Sequence, residues 1–154
     1  MSHLPFFSGQ ALARPKTDPG EDDKMDANRI KVRVYYEDTD FGGVVYYAKY
    51  LRYLEQGRTE FFRDRGINLA ECQKKGFVFA VTDVHIKYRV SARYDDLLEV
   101  ETTISDVRNA SMTFDTKIYN QDGVTLVTSE TKVACMNGRG RATRIPAEIM
   151  EKLR

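Results

Sequence analysis

The stretch that decides how this chain is read is Tyr35-Tyr36-Glu37-Asp38-Thr39-Asp40-Phe41-Gly42-Gly43-Val44-Val45-Tyr46-Tyr47. Just before and into it, Ile30, Val32, Val34 and Tyr36 alternate with Lys31, Arg33 and Glu37, the two-residue period of a strand with one covered face. Behind it, Tyr47, Tyr50, Leu51, Leu54, Phe61 and Phe62 form a wide apolar stripe at helical spacing over residues 46–65, with Arg52, Glu55, Thr59 and Arg63 largely opposite. The quoted residues are therefore the turn between a strand and a long helix. None of Phe41 to Tyr46 is Ser, Thr, Asp or Asn, so the helix start lacks the usual side-chain cap. Its first amide N–H groups must meet water or a ligand. Bare donors beside an acid and two glycines suit the stabilisation of an oxyanion.

About 20 residues of helix predict a rod of ~30 Å, and its wide stripe predicts burial against a sheet. Gly66 is the expected C-terminal cap. Four further strands follow. Phe77, Phe79 and Val81 alternate in one phase and Val84, Ile86, Tyr88 and Val90 in the other, so a bulge is expected at Thr82-Asp83. Leu98, Val100, Thr102 and Ile104 come next, then Met112, Phe114, Thr116 and Ile118, joined through Asn109-Ala110. After a turn at Gln121-Asp122-Gly123, the last strand places Val127, Ser129, Thr131, Val133 and Cys135 on one face. Pro146 opens a short terminal helix. Strand, long helix and four strands with short connections predict an α+β fold whose sheet is mainly antiparallel and covers the helix with one face.

The 154 residues suit one domain. Three of the four prolines fall in the first 20 residues, and residues 16–26 are charged and almost without large apolar side chains. Residues 1–28 are therefore expected to be a disordered extension and 29–154 the folded domain, with Met25 an alternative start. A net charge of +1 argues against nonspecific nucleic-acid binding. No apolar run approaches the roughly 20 residues of a membrane span, and Met1 to Pro5 do not read as a secretory signal. Cys72 and Cys135, isolated and without CxxC spacing, point to reduced thiols and a cytoplasmic protein. With His3 and His85 the only histidines, a His-rich metal site is excluded.

Asp40, at a strand end before Gly42-Gly43 and facing a helix start, has the position of a general base or nucleophile on an activated carbonyl. It equally has the position of an ordinary turn acid bonding nearby amides. Asp38 is expected to fit that plainer role better. Gly42 and Gly43 make a tight turn and also let a substrate approach the backbone. Six of the nine tyrosines crowd here: Tyr35, Tyr36, Tyr46, Tyr47, Tyr50 and Tyr53. They suit an acyl or aryl pocket, with core packing favoured for Tyr50 and Tyr53. The helix acids Glu55 and Glu60 read as surface charge, Glu55 paired with Arg52 or Arg58. Arg108, Arg141 and Arg144 are either solvated charge or ligands for the phosphates of a nucleotide-bearing substrate.

Residues 29–153 resemble the 4-hydroxybenzoyl-CoA thioesterase superfamily, and within it the bacterial acyl-CoA thioesterases associated with the Tol–Pal cell-envelope system. The resemblance is carried by Val32-Arg33-Val34-Tyr35-Tyr36-Glu37-Asp38-Thr39-Asp40, Gly42-Gly43-Val44-Val45-Tyr46, Arg58-Thr59-Glu60, Ala92-Arg93-Tyr94-Asp95-Asp96-Leu97-Leu98 and Arg144-Ile145-Pro146. It implies a hotdog fold, a long helix wrapped by a curved five-stranded sheet, assembled as a homodimer or homotetramer. It also implies hydrolysis of an acyl-CoA, or of an acyl group on a carrier protein, without metal or organic cofactor. Asp40 matches the family's catalytic carboxylate, the Tyr47 amide matches the donor that polarises the thioester carbonyl, and Gly42, Gly43, Val44 and Tyr46 fall in the substrate-binding loop. Many Tol–Pal-associated members have His where this chain has Tyr47, and a small polar residue where it has Lys49. A non-catalytic hotdog module that binds acyl groups or envelope proteins is the alternative, and the intact Asp40 argues against it.

Overall fold

In the computed structural model, residues 27–154 are described. The expected disordered extension at 1–28 falls almost wholly outside them. The chain begins with strand β1 (Asn28–Arg33), passes through the turn into helix α1 (Tyr50–Asp64), then a short helix α2 (Leu69–Lys74). Strands β2 (Phe77–Tyr88), β3 (Leu97–Val107), β4 (Ser111–Tyr119) and β5 (Thr125–Asn137) follow, and helix α3 (Ala147–Lys152) closes the chain. The five strands form one curved sheet in the order β1-β3-β4-β5-β2, antiparallel at every pairing. The hotdog architecture expected from the sequence is the architecture observed.

Helix α1 lies on the sheet through Tyr50, Tyr53, Leu54, Gly57, Phe61 and Phe62. Gly57 fixes how close it comes: a Cβ there would stand 2.5 Å from Thr102 Oγ1 and 2.9 Å from Val100 Cγ1. Beneath it runs a row of small buried residues across three paired strands, Thr102, Thr116 and Ser129. This row divides the core. On one side Val34, Val45, Tyr50, Tyr53, Leu54, Leu98 and Ile118 pack together. On the other are Phe61, Phe62, Phe114, Met112, Ile145 and Leu153.

Local expectations mostly hold. The phase change in β2 is a register shift between Val81 and Asp83 against β5. Gly66 ends α1 at φ +70, its N–H donating to Arg63 O at 2.9 Å, and Pro146 precedes α3. Three expectations need correction. β1 stops at Arg33 rather than running to Tyr36, because a single 3-10 turn at Tyr36–Asp38 lifts Tyr36 into solvent. The long helix is 15 residues, entered through a 3-10 turn at Tyr47–Lys49. Helix α2 was not anticipated; Asn68 caps it, its side-chain oxygen accepting from Ala70 N at 2.9 Å and Glu71 N at 3.2 Å.

Candidate active site

Asp40 sits at the tip of a tight loop whose two limbs meet at the Thr39–Val45 bridge. Asp40 N–H donates to Val44 O at 2.8 Å and Gly43 N–H to Asp40 O at 3.0 Å. The carboxylate accepts from Gly42 N–H at 2.8 Å and is exposed to solvent. The two glycines serve the loop differently. A Cβ on Gly42 would stand 3.1 Å from Asp40 Oδ1, crowding the carboxylate, and Gly43 holds φ +78, a conformation that L side chains rarely adopt. Asp40 is thus both a turn-former and a free acid, with one oxygen occupied by a backbone amide.

Asp38 also accepts a backbone amide but differs in burial and in its charged partner. It is 4% exposed. Its Oδ2 accepts from Tyr35 N–H at 2.8 Å, and its Oδ1 lies 2.7 Å from the Lys49 ammonium. The Tyr53 hydroxyl, buried without a partner of good geometry, faces the same carboxylate. Burial on its own would raise the Asp38 pKa, but Lys49, the Tyr35 amide and Tyr53 together outweigh it and hold the acid below its ordinary value. The same burial, with the Asp38 charge added, pushes the Tyr53 phenol up so that it stays neutral.

The helix start follows this loop directly. Tyr46 N–H is taken by Asp38 O at 2.9 Å, and Lys49 N–H by Tyr46 O at 2.8 Å. Between them, the Tyr47 and Ala48 amides have no partner among the described hydrogen bonds, and no side chain caps the turn. Because a trans peptide points its C=O and N–H in opposite directions, the bond from Lys49 N–H to Tyr46 O turns the Tyr47 N–H outward from the helix. The next peptide is held as well: Tyr88 O–H donates to Tyr47 O at 2.8 Å. Around these groups Phe41, Tyr46, Tyr47 and Tyr88 are exposed, while Tyr50 and Tyr53 are core, as their positions on the helix predict.

The structure thus brings Asp40, Gly42, Gly43, Val44, Tyr46 and Tyr47 into one loop and helix start. It places Arg108, Arg141 and Arg144 elsewhere in the chain. Arg108 follows β3 and donates to Asp106 at 2.8 Å. Ile145 N–H bonds Asn109 O at 2.8 Å, setting Arg144 beside that turn, and Arg141 shares a hairpin with Asn137. This is the Ile145 side of the core, served by the far end of α1. Glu60 pairs with Arg63 at 3.1 Å, but Glu55 accepts from Thr59 Oγ1 at 2.6 Å rather than pairing with Arg52 or Arg58. Both acids line a groove of about 490 Å³ between β1 and α1. No group of three or more His, Cys, Asp or Glu able to hold a metal occurs among the described residues. The ties from Tyr88 and Lys49 were not foreseen: they join residues 41 and 11 positions apart, and no periodicity signals such a pair.

Residues 34–153 match the family model described as the thioesterase-like superfamily. The chain belongs to that superfamily. It is 39% identical over 122 residues to the acyl-CoA thioesterase YbgC of Haemophilus influenzae, spanning 77% of this chain and 88% of that protein. It is 38% identical over 109 residues to the acyl-CoA thioester hydrolase YbgC of Escherichia coli O6:H1, spanning 71% and 81%. Among solved structures, a probable thioesterase from Bartonella henselae superposes with a TM-score of 0.74 at 36% identity, covering 79% of this chain and all of that one. By these likenesses the chain is a thioester hydrolase.

Proposed function

We propose that this chain hydrolyses an acyl-CoA to the free acid and CoA, with Asp40 as the acid–base or nucleophilic group and the Tyr47 amide as the oxyanion donor. The observation that carries the reading is a solvent-facing carboxylate held at a loop tip before a helix start whose Tyr47 amide has no partner among the described residues. The names of the YbgC relatives supply the thioester class and the CoA. In the base route, Asp40 takes a proton from water as the water oxygen bonds the carbonyl carbon; the intermediate then collapses, the C–S bond breaks and the thiolate of CoA leaves. In the nucleophilic route, Asp40 bonds the carbonyl carbon first, the C–S bond breaks as the thiolate of CoA leaves, and water then cleaves the resulting anhydride to the free acid and the Asp40 carboxylate. Either way the carbonyl oxygen gains charge, and one preorganised amide donor is worth ~3–4 kcal/mol at that step. Gly42, Gly43, Val44 and Tyr46 line the approach.

The same reading assigns the chain to homodimers or larger assemblies in the cytoplasm, in the manner of the Tol–Pal-associated enzymes. Support for assembly comes from β2, a 12-residue edge strand with Val81, Val84 and Tyr88 exposed. Cys72 and Cys135, both free and buried, suit a reducing compartment. No helix among the described residues is long and apolar enough to cross a membrane. Because Arg108, Arg141 and Arg144 lie at the other end of the protomer, a role on CoA phosphates requires a second copy that brings them to this loop.

The deciding experiment is a hydrolysis screen over short, long and aromatic acyl-CoAs with the parent and Asp40→Asn. The parent should turn over at least one class, and Asp40→Asn should lose at least ~10²-fold in kcat with folding intact. Near-parent turnover by Asp40→Asn would remove Asp40 from the chemistry.

A further inference from the structure

The Lys49 ammonium is not spent on solvent. It reaches back beneath the loop to Asp38 at 2.7 Å, and is itself only 25% exposed. Asp38 therefore grips the helix start on both sides of Tyr47. Its carbonyl takes the Tyr46 amide at 2.9 Å and its carboxylate takes the Lys49 side chain, while Oδ2 holds Tyr35 N–H at the base of the loop that carries Asp40. One buried acid thus ties three pieces together: the end of β1, the loop, and the first helical turn. The loop is also joined to its surroundings by Val45 N–H on Ala92 O at 2.9 Å, by the Val44–Arg93 bridge and by the buried Val45 side chain, and the helix start by Tyr88 O–H on Tyr47 O.

We propose that the Asp38–Lys49 ion pair is the device that fixes the Tyr47 amide relative to the Asp40 carboxylate, and that Lys49 is a positioning residue for thioester hydrolysis. Neither partner touches the reacting atoms. The effect is geometric. An oxyanion donor works only when its N–H already points at the place where charge will develop, and misplacement by about 1 Å costs on the order of 10²-fold in rate. The tie spans the loop and the turn that carry the two groups, so its loss frees each to move independently. The inference rests on the assignment of Asp40 and Tyr47 above.

The test compares Lys49→Met, Asp38→Asn, the double variant Asp38→Asn/Lys49→Met, Lys49→Arg and Asp40→Asn with the parent. Each is measured for kcat and KM on one acyl-CoA that the parent cleaves, and for stability by urea unfolding. Lys49→Met should lower kcat about 10- to 100-fold and change KM by less than about 3-fold. Lys49→Arg, which keeps the charge, should recover most of that loss. Lys49→Met strands a buried anion and loses stability; the double variant removes both charges and should regain it. If the tie is a positioning device, the regained stability does not bring the rate back, and the double variant is no slower than the slower single, because both singles break the same link. A double variant with parent kcat would overturn the proposal, as would losses in kcat that multiply as though the two residues acted separately. If Asp40→Asn is inactive while Lys49→Met keeps parent kcat, the site stands and the tie fails. If Asp40→Asn is fully active, the site assignment fails and the tie falls with it.

Discussion

The two halves of the domain, divided where Gly57 meets Thr102, use aromatic residues differently. On the far side the buried rings are all phenylalanine. Phe61, Phe62 and Phe114 meet edge to face with centroids 5.4–6.3 Å apart, and Phe79 stacks on Phe62 at 5.3 Å. On the loop side the buried rings are Tyr50 and Tyr53. There the hydroxyls orient backbone: Tyr50 accepts from Ala92 N–H at 3.0 Å and Tyr88 donates to Tyr47 O at 2.8 Å. The outer surfaces differ too. The loop side exposes Phe41, Tyr46, Tyr47 and Tyr94, and the far side exposes Arg108, Arg141 and Arg144. One half packs for stability alone. The other gives up fully apolar packing to hold backbone groups in set directions, which suits a loop that must present donors and an acid.

That contrast can be broken most forcefully from the far side. Phe114→Ala should cost about 3–5 kcal/mol in urea unfolding, because a fully buried ring leaves a cavity among other rings. The kcat of the folded fraction should stay near the parent's. A large loss of kcat in folded protein would show that the halves are not independent.

Gly57→Ala tests the boundary itself. A methyl group there meets Thr102 and Val100 inside normal contact distance, so α1 must move off the sheet, at about 1–3 kcal/mol. Both halves hang on that helix, and the expected result is lower stability with a fall in kcat as well.

Acid sharpens the comparison on the loop side. The folded pKa of Asp38 is depressed, so its contribution to stability is complete above the unfolded value of about 3.9 and is lost as pH falls through the lower folded value. The stability difference between parent and Asp38→Asn, followed by urea unfolding from pH 6 downward, should therefore be flat to about pH 4 and shrink below it. A difference that shrinks already near neutral pH would contradict the buried, ionised Asp38.

The smallest effect is expected from the exposed arginines. Arg108→Ala and Arg144→Ala should raise KM for an acyl-CoA severalfold, while leaving turnover of a short thioester without a nucleotide unchanged. Equal losses on both substrates would point to damaged folding or assembly, and no change on either would leave both arginines as surface charge.

Much of this was legible in the sequence because it is periodic or local. The switch from two-residue to helical spacing around Asp40 marked strand, loop and helix; the slip at Thr82-Asp83 marked the bulge; Gly66 and Pro146 marked helix ends. Alternation would set Asp38 and Asp40, two residues apart, on one face; the 3-10 turn at Tyr36–Asp38 breaks it, ends the strand at Arg33 and leaves Asp38 buried and Asp40 exposed. Helix α2 escaped notice because a six-residue helix offers too few turns to show a period, and its signal was the Asn68 cap alone.

What the sequence determined by itself was the class of fold, the place of the loop and the candidates within it. These depend on spacing along the chain, which hydrophobic burial and glycine stereochemistry impose directly. Only the tertiary structure decided which charges meet. Lys49 could have faced solvent; it closes on Asp38 because the helix start folds back over the loop. Arg108, Arg141 and Arg144 read as companions of Asp40, but the sheet carries them to the opposite end of α1. Ion pairs and hydroxyl ties between distant residues leave no periodic trace, since either partner alone is an ordinary polar side chain until the backbone brings it to the other.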